Sequence, residues 1–304
     1  MANLKEVRIR ITSVGSTQQI TKAMKLVSAT KLRRAQNGII QMRPYAQQLN
    51  SILANLVDSV DVDSLKVYFD QRQVKKVLLV VITSDRGLCG SFNANVVKRA
   101  NSLIKEKYEG KEVTVLPIGK KGADFFAKQP VKMVTNYKEV LHSLTSAKAF
   151  EIGEYVLDAY RSGKYDVVEI VYNQFKNAAT QILSNEQFLP INAEAIKGVQ
   201  DRGLRVGMTQ SSGVAQKHDY IFEPGKVEIL EELIPRILKT QVYRSMMDSL
   251  ASEHGARMVA MDKATDNAGE LLKSLKVEYN RVRQAAITTE ISEIVGGAAA
   301  LSQG

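Results

Sequence analysis

Apolar residues recur at Leu4, Val7, Ile11 and Val14, with spacings of 3, 4 and 3. They resume at Ile20, Met24 and Val27, and again at Leu49, Ile52 and Leu56. That spacing predicts one long helix over residues 3–57 with a narrow apolar seam. Polar Ser16, Thr17, Gln18 and Gln19 interrupt the seam, so a loose stretch is expected there. A second seam runs through Met258, Met261, Thr265, Ala268, Leu272, Leu275, Tyr279, Val282 and Ala286. Its spacings alternate between 3 and 4 without a miss, which is the period of a coiled coil. After Ala286 the stripe shifts by one, to Ile287, Ile291, Ile294, Ala298 and Leu301.

Between these helices the pattern changes. "KKVLLVVITS" is a short Val-rich run suited to a buried parallel strand. "EVTVLPIG" and "VKMVTN" read as further strands, and "YDVVEIVYN" with "ATQILSNEQFLP" as a closing hairpin pair. Helical spacing separates them in "FNANVVKRANSLIKEKY", "KKGADFFAK" and "SAKAFEIGEYVLDAYRSG", the last closed by Gly163. Alternating β and α elements predict a Rossmann-like open, mostly parallel α/β domain with helices on both faces. The expected division is a helical shaft from 1–57 and 226–304, an α/β base from 75–190, and a Gly- and Ser-rich loop or insertion from 191–225.

Two seam-bearing helices that flank one α/β domain should pair antiparallel, because the chain leaves along one and returns along the other. At 1.5 Å per residue the first is roughly 80 Å long and the second roughly 110 Å, an overshoot of roughly 30 Å. The overshoot carries Ile287, Ile291, Ile294, Val295, Ala298 and Leu301 with no partner helix in the chain. An apolar helix in water calls for a socket on another protein. The alternative is a frayed tail, given Gly296, Gly297 and Gly304.

The net charge of +10 adds an acidic partner to this picture, whether protein, lipid surface or nucleic acid. Nine Lys or Arg and one acid, Glu6, fall between Met1 and Arg43, so the partner is expected there; the alternative is a solvated helix face. One cysteine, Cys89, excludes an intrachain disulfide and fits a reducing compartment. No apolar run reaches the length of a membrane span, and "MANLKEVRIR" lacks the apolar core of a secretory signal.

The strand–turn–helix "VVITSDRGLCGSFNANVV" is where α/β enzymes bind phosphates. Its turn matches neither the P-loop nor the dinucleotide fingerprint, and no Lys follows Gly90. His142, His218 and His254 stand on separate segments without metal-ligand spacing. No catalytic, cofactor or metal site is expected. A nucleic-acid binder would need aromatic residues among the basic ones, and it would leave the apolar tail unexplained.

Three blocks together carry a resemblance: "ITSVGSTQQITKAMKLVSATKLRRAQ", "TSDRGLCGSFN", and "SEHGARMVAMDKATDNAGELL" with "EYNRVRQAAITTEISEIVGGAAAL". They lie at both ends and in the middle, and the chain resembles the γ subunit of F-type ATP synthases, the central rotor shaft. The resemblance implies a non-catalytic shaft inside a ring of three α and three β subunits. It also implies an α/β base resting on the ε subunit and the ring of c subunits, on the cytoplasmic face of the bacterial inner membrane. Membrane contact would come only through the c ring, and nucleic acid would not be a partner. Ion-driven rotation would then force the catalytic β subunits through different affinities. The resemblance also places Lys22, Met24, Lys25 and Lys31, with Arg33 and Arg34, against acidic levers of β. Met24 could equally be a seam residue. Asp85, Arg86 and Cys89 fall at the same levers. Arg283 and Gln284 match residues that hydrogen-bond an open β subunit, and Ile287, Ile291, Ile294, Val295, Ala298 and Leu301 form an apolar bearing tip. Chloroplast members carry a two-cysteine insertion; with Cys89 alone, no dithiol switch is expected.

Overall fold

The structure, a computed structural model, describes residues 4–57, 66–191 and 225–302. The expected loop at 191–225 falls almost wholly outside the described residues. In chain order the elements are α1 (Leu4–Val57), α2 (Lys66–Phe69), β1 (Lys76–Ile82), α3 (Phe92–Ser102), β2 (Glu112–Ile118) and α4 (Lys120–Phe126). Then follow β3 (Lys132–Met133), α5 (Ser146–Arg161), β4 (Val167–Phe175), β5 (Gln181–Leu189) and α6 (Lys226–Ser302). Two compact units result, one from Ala29–Ala256 and one from Met1–Ser28 with Arg257–Gly304.

The first unit is built on a sheet of order β3-β2-β1-β4-β5. β1, β2, β3 and β4 run parallel, and β5 returns antiparallel beside β4, as the closing hairpin predicts. Successive side chains of a strand point to opposite faces. Leu78, Val80 and Ile82 of β1 therefore join Ile152, Val156 and Tyr160 of α5 on one face. Val77, Leu79 and Val81 join Val96 and Ala100 of α3 on the other. β1 lies between two strands and two helical layers, which is why its run from Val77 to Ile82 is apolar throughout. Thr145 caps α5 by accepting the Lys148 amide, and Gly163, at φ +71°, ends it as expected.

Leu230, Ile234, Leu238, Val242 and Met246 pack into the same core as α5, so the start of α6 is a layer of the sheet domain. Farther along, residues 245–255 of α6 are buried almost all round. Ser252 Oγ donates to the Asn173 carbonyl at 2.9 Å, and Gly255 lies against the backbone of Ala178. On another side, Gly38 of α1 leaves room for the Met247 methyl.

In the second unit the two helix segments run antiparallel. Gln18 Nε2 donates to the Thr265 carbonyl at 3.4 Å, Thr265 Oγ1 bonds Thr21 Oγ1 at 2.8 Å, and Lys25 pairs with Asp262. Rising numbers on α1 thus meet falling numbers on α6. Val7 on α1, with Met261, Ala268 and Leu275 on α6, forms the buried apolar part of the seam.

At Ser16–Gln19, where a loose stretch is expected, α1 is continuous and Gln18 bridges to α6. Two expected seam residues also point outward, Ile20 at 59% and Val27 at 55% exposure. The seam instead passes through Gln18, Thr21, Lys25 and Ser28 to Leu32, Ala35 and Ile39. This continues the alternation of 3 and 4 begun at Leu4 without a shift. Backbone geometry sets the phase of a helix, so polar side chains occupy the seam when their turn comes and bond across it.

Candidate functional site

Three surfaces carry the residues singled out from the sequence. The first is the turn after β1. Thr83 continues the β ladder by donating its amide to the Ile118 carbonyl at 2.8 Å, and its Oγ1 accepts the Gly122 amide at 2.8 Å. Gly119 sits at φ +103°, and a Cβ there would lie 2.2 Å from the Thr83 carbonyl oxygen. The turns after β1 and β2 are therefore locked together through backbone. Ser84 accepts the Lys121 amide on its carbonyl at 3.0 Å, and Asp85 accepts the Lys120 amide on Oδ1 at 3.2 Å. Burial pushes the Asp85 carboxyl above its ordinary pKa, against the pull of that amide bond.

Inside the turn Asn93 binds Ser84 twice, accepting its amide at 2.9 Å and donating Nδ2 to its hydroxyl at 2.7 Å. The same Nδ2 reaches Cys89 Sγ at 3.2 Å, and Ser84 Oγ donates to the Arg86 carbonyl at 2.6 Å. Cys89 is only 2% exposed. Its thiol is therefore an internal fastening of the turn rather than the surface contact expected for it. Arg86 is exposed, Asp85 half-buried, and Leu88, which no sequence pattern singles out, is exposed at the apex. Ser84 and Asn93 turn their polar atoms on each other and on the turn's backbone, and α6 abuts the end of β4 through Ser252 and Gly255. The crevice a doubly wound sheet offers a nucleotide beside β1 and β4 is thus bordered by the chain itself. A cavity of about 600 Å³ opens at the opposite, N-terminal end of β2 and β3, lined by Lys105, Tyr108, Glu112 and Lys132, remote from this turn. Among the described residues no group of three or more His, Cys, Asp or Glu side chains comes together.

The second surface is the basic run of α1. In the helix-pair unit Lys22 is exposed and Met24 half-buried, while Lys25 is held by Asp262. Lys31, Arg33 and Arg34 are exposed in the sheet unit. The phase that buries Leu32 and Ala35 turns these three cations outward.

The third surface is the end of α6. Val282 is the last partly covered seam position, and every residue from Arg283 to Ala298 is exposed. Arg283 and Gln284 stand at the start of this bare stretch. Ile287, Ile291, Ile294 and Val295 follow, Ile294 at 71% exposure, with Ala298 beyond them. The Leu301 side chain lies outside the described residues. The backbone stays helical to Ser302. The bare helix is about 30 Å long, and it is rich in apolar side chains that nothing among the described residues covers.

Residues 3–301 match the protein family described as ATP synthase. The chain is 54% identical over 306 residues to the ATP synthase gamma chain of Cytophaga hutchinsonii, covering 99% of this chain and 100% of that one. It is 52% identical over 301 residues to the ATP synthase gamma chain of Flavobacterium psychrophilum, covering 99% of each. Its fold is similar to a chain in the rotor of the Euglena gracilis mitochondrial ATP synthase. The TM-score is 0.61 at 21% identity, covering 93% of this chain and 98% of that chain. A second structure of that complex, with F1 and the c-ring, gives a TM-score of 0.63 at 21% identity over 98% of this chain and 94% of that one.

Proposed function

The chain belongs to the ATP synthase γ-chain family, and on that footing we propose that it is the central-stalk rotor subunit of an F-type ATP synthase. It catalyses nothing itself. Driven by ion flow through the c ring, it turns inside three α and three β subunits and forces the β catalytic sites through successive affinities. Its sheet unit stands with the ε subunit on the c ring at the cytoplasmic face of the bacterial inner membrane. Among the described residues no helix is long and apolar enough to cross a membrane.

The bare helical end of α6 carries this reading. Ile287, Ile291, Ile294 and Val295 gain by leaving water, and hydrophobic burial has no preferred direction. A shaft tip in an apolar sleeve can therefore turn without breaking a fixed set of hydrogen bonds. Arg283 and Gln284, just below it, supply the opposite property. A guanidinium reads a carboxylate in one orientation, so this pair acts as the catch on an open β subunit. Lys22, Met24, Lys25, Lys31 and the turn at Asp85 and Arg86 meet the acidic β levers. Each exposed ion pair there is worth at most about 1 kcal/mol, which guides a rotor without locking it.

Co-purification with α and β subunits tests the assignment. Deletion of Val295–Gly304 is expected to leave assembly intact while loosening tip seating, seen as a lower dissociation temperature of the complex and reduced coupled synthesis. An assembled complex with both quantities unchanged would remove the bearing role of the tip.

A further inference from the structure

Among the described residues Leu88 is the one non-glycine residue with a positive φ, at +62°. A β-carbon is disfavoured in that region, and such strain persists where the surroundings over-determine it, often at contact sites. Here they do. Asn93 clamps Ser84 and Cys89, Ser84 Oγ takes the Arg86 carbonyl, and the Phe92 amide returns to the Cys89 carbonyl at 3.3 Å. The backbone on either side of Leu88 is held, and Thr83 is locked in turn to Gly119 and Gly122. Glycine stands at both nearby positions, Gly87 and Gly90, yet the strained position between them carries a leucine. Its side chain does not pack inward; it is 63% exposed. Folding of the chain gains little from this side chain.

The rim is basic. Lys120 and Lys121 are exposed and tied to the turn through their amides, on Asp85 and on Ser84. Lys121 Cε lies 3.9 Å from where a Cβ on Gly87 would stand, and Arg86 is exposed beside them. A rigid apolar knob on a turn flanked by cations is complementary to an acidic segment that also offers an apolar seat.

We propose that Leu88 is the apolar contact by which this turn engages the acidic lever of a β subunit, with Lys120 and Lys121 as its charged rim. Ser84, Asn93 and Cys89 are positioning residues that hold Leu88 out. This rests on the rotor reading above and assigns it a specific point of contact.

The test uses the assembled complex with Leu88→Gly, which removes the knob and relieves the backbone. Thermal stability of the full chain is expected to stay level or rise, while ATP turnover of the complex falls at least threefold. Leu88→Met should recover at least half of that loss. Asn93→Ala should lower turnover in the wild-type background and add nothing in the Leu88→Gly background, since it acts through the same side chain. A Leu88→Cys chain in a Cys89→Ser background, carrying a photo-crosslinker, should label β. Unchanged turnover in Leu88→Gly, a loss of chain stability in it, or labelling confined to another subunit would each overturn the proposal. Failure of the wild-type chain to assemble with α and β would instead overturn the rotor reading itself.

Discussion

In the Ala29–Ala256 unit, Leu78, Leu79 and Ile82 of β1 are wholly buried between two helical layers. In the unit formed by Met1–Ser28 and Arg257–Gly304, Ile287, Ile291 and Ile294 stand in water, and the paired seam passes through Gln18, Thr21, Lys25 and Ser28. The residue types are similar and their use is opposite. The sheet unit uses its apolar area to fold. The helix pair leaves much of its apolar area exposed and holds its own register through polar pairs. Substitutions in the first region should therefore be read in stability, and those in the second in the behaviour of the complex.

Gly119→Ala should produce the largest effect and would break the comparison if it did not. The new Cβ would meet the Thr83 carbonyl at 2.2 Å at a φ of +103°, so the turns after β1 and β2 must part. A loss of about 3 kcal/mol is expected in denaturant unfolding of the full chain. A loss under about 1 kcal/mol would mean that the junction yields freely.

Arg283→Ala should do the reverse. Arg283 is exposed on the bare helix, so chain stability should move by less than about 0.5 kcal/mol. Turnover of the assembled complex should fall several-fold. Equal losses in both measurements would make Arg283 a folding residue and erase the distinction between the regions.

The two regions also differed in how far they could be read from sequence. Two central strands of the sheet unit are largely apolar runs bounded by turn residues, and "KKVLLVVITS" and "EVTVLPIG" map directly onto β1 and β2. The bare tip was legible too, from the mismatch in helix lengths. The middle of the pair was not. Counting apolar residues led to Ile20 and Val27, while the helix phase led to Thr21 and Ser28. Holding the 3–4 count through polar positions would have found them. The turn after β1 was half legible. Its shape was evident, but the burial of Cys89 depends on Asn93, and the role of Gly119 depends on contact with Thr83 across two strands. Such contacts leave no periodic trace. Nor did anything local announce the positive φ of Leu88.

Lys25→Ala sharpens the account of the polar seam. Lys25 and Asp262 are both partly exposed, so the pair is worth less than about 1 kcal/mol. The expected loss is about 0.5 kcal/mol at low salt, vanishing as added salt screens the pair. A loss above about 2 kcal/mol, insensitive to salt, would show that this pair behaves like a buried one and that the seam is as stabilising as the sheet core.

Asp85→Asn probes the one carboxyl of the β1 turn that is partly withdrawn from water. Burial raises its pKa in the folded chain above the ordinary 3.8, so the folded state holds the proton more tightly than the unfolded state does. The ionised form therefore costs stability above the folded pKa. That cost fades as pH falls through the folded value and is gone below 3.8, where both states are protonated. Asparagine keeps an oxygen to accept the Lys120 amide and carries no charge at any of these pH values. The variant should thus gain on the wild type more at about pH 7.5 than at about pH 5, measured by unfolding the full chain at each. An advantage that grew toward acid would mean that Asp85 is stabilised as an anion by the cations around the turn. Those cations would then be partly satisfied within the chain rather than held for an acidic partner.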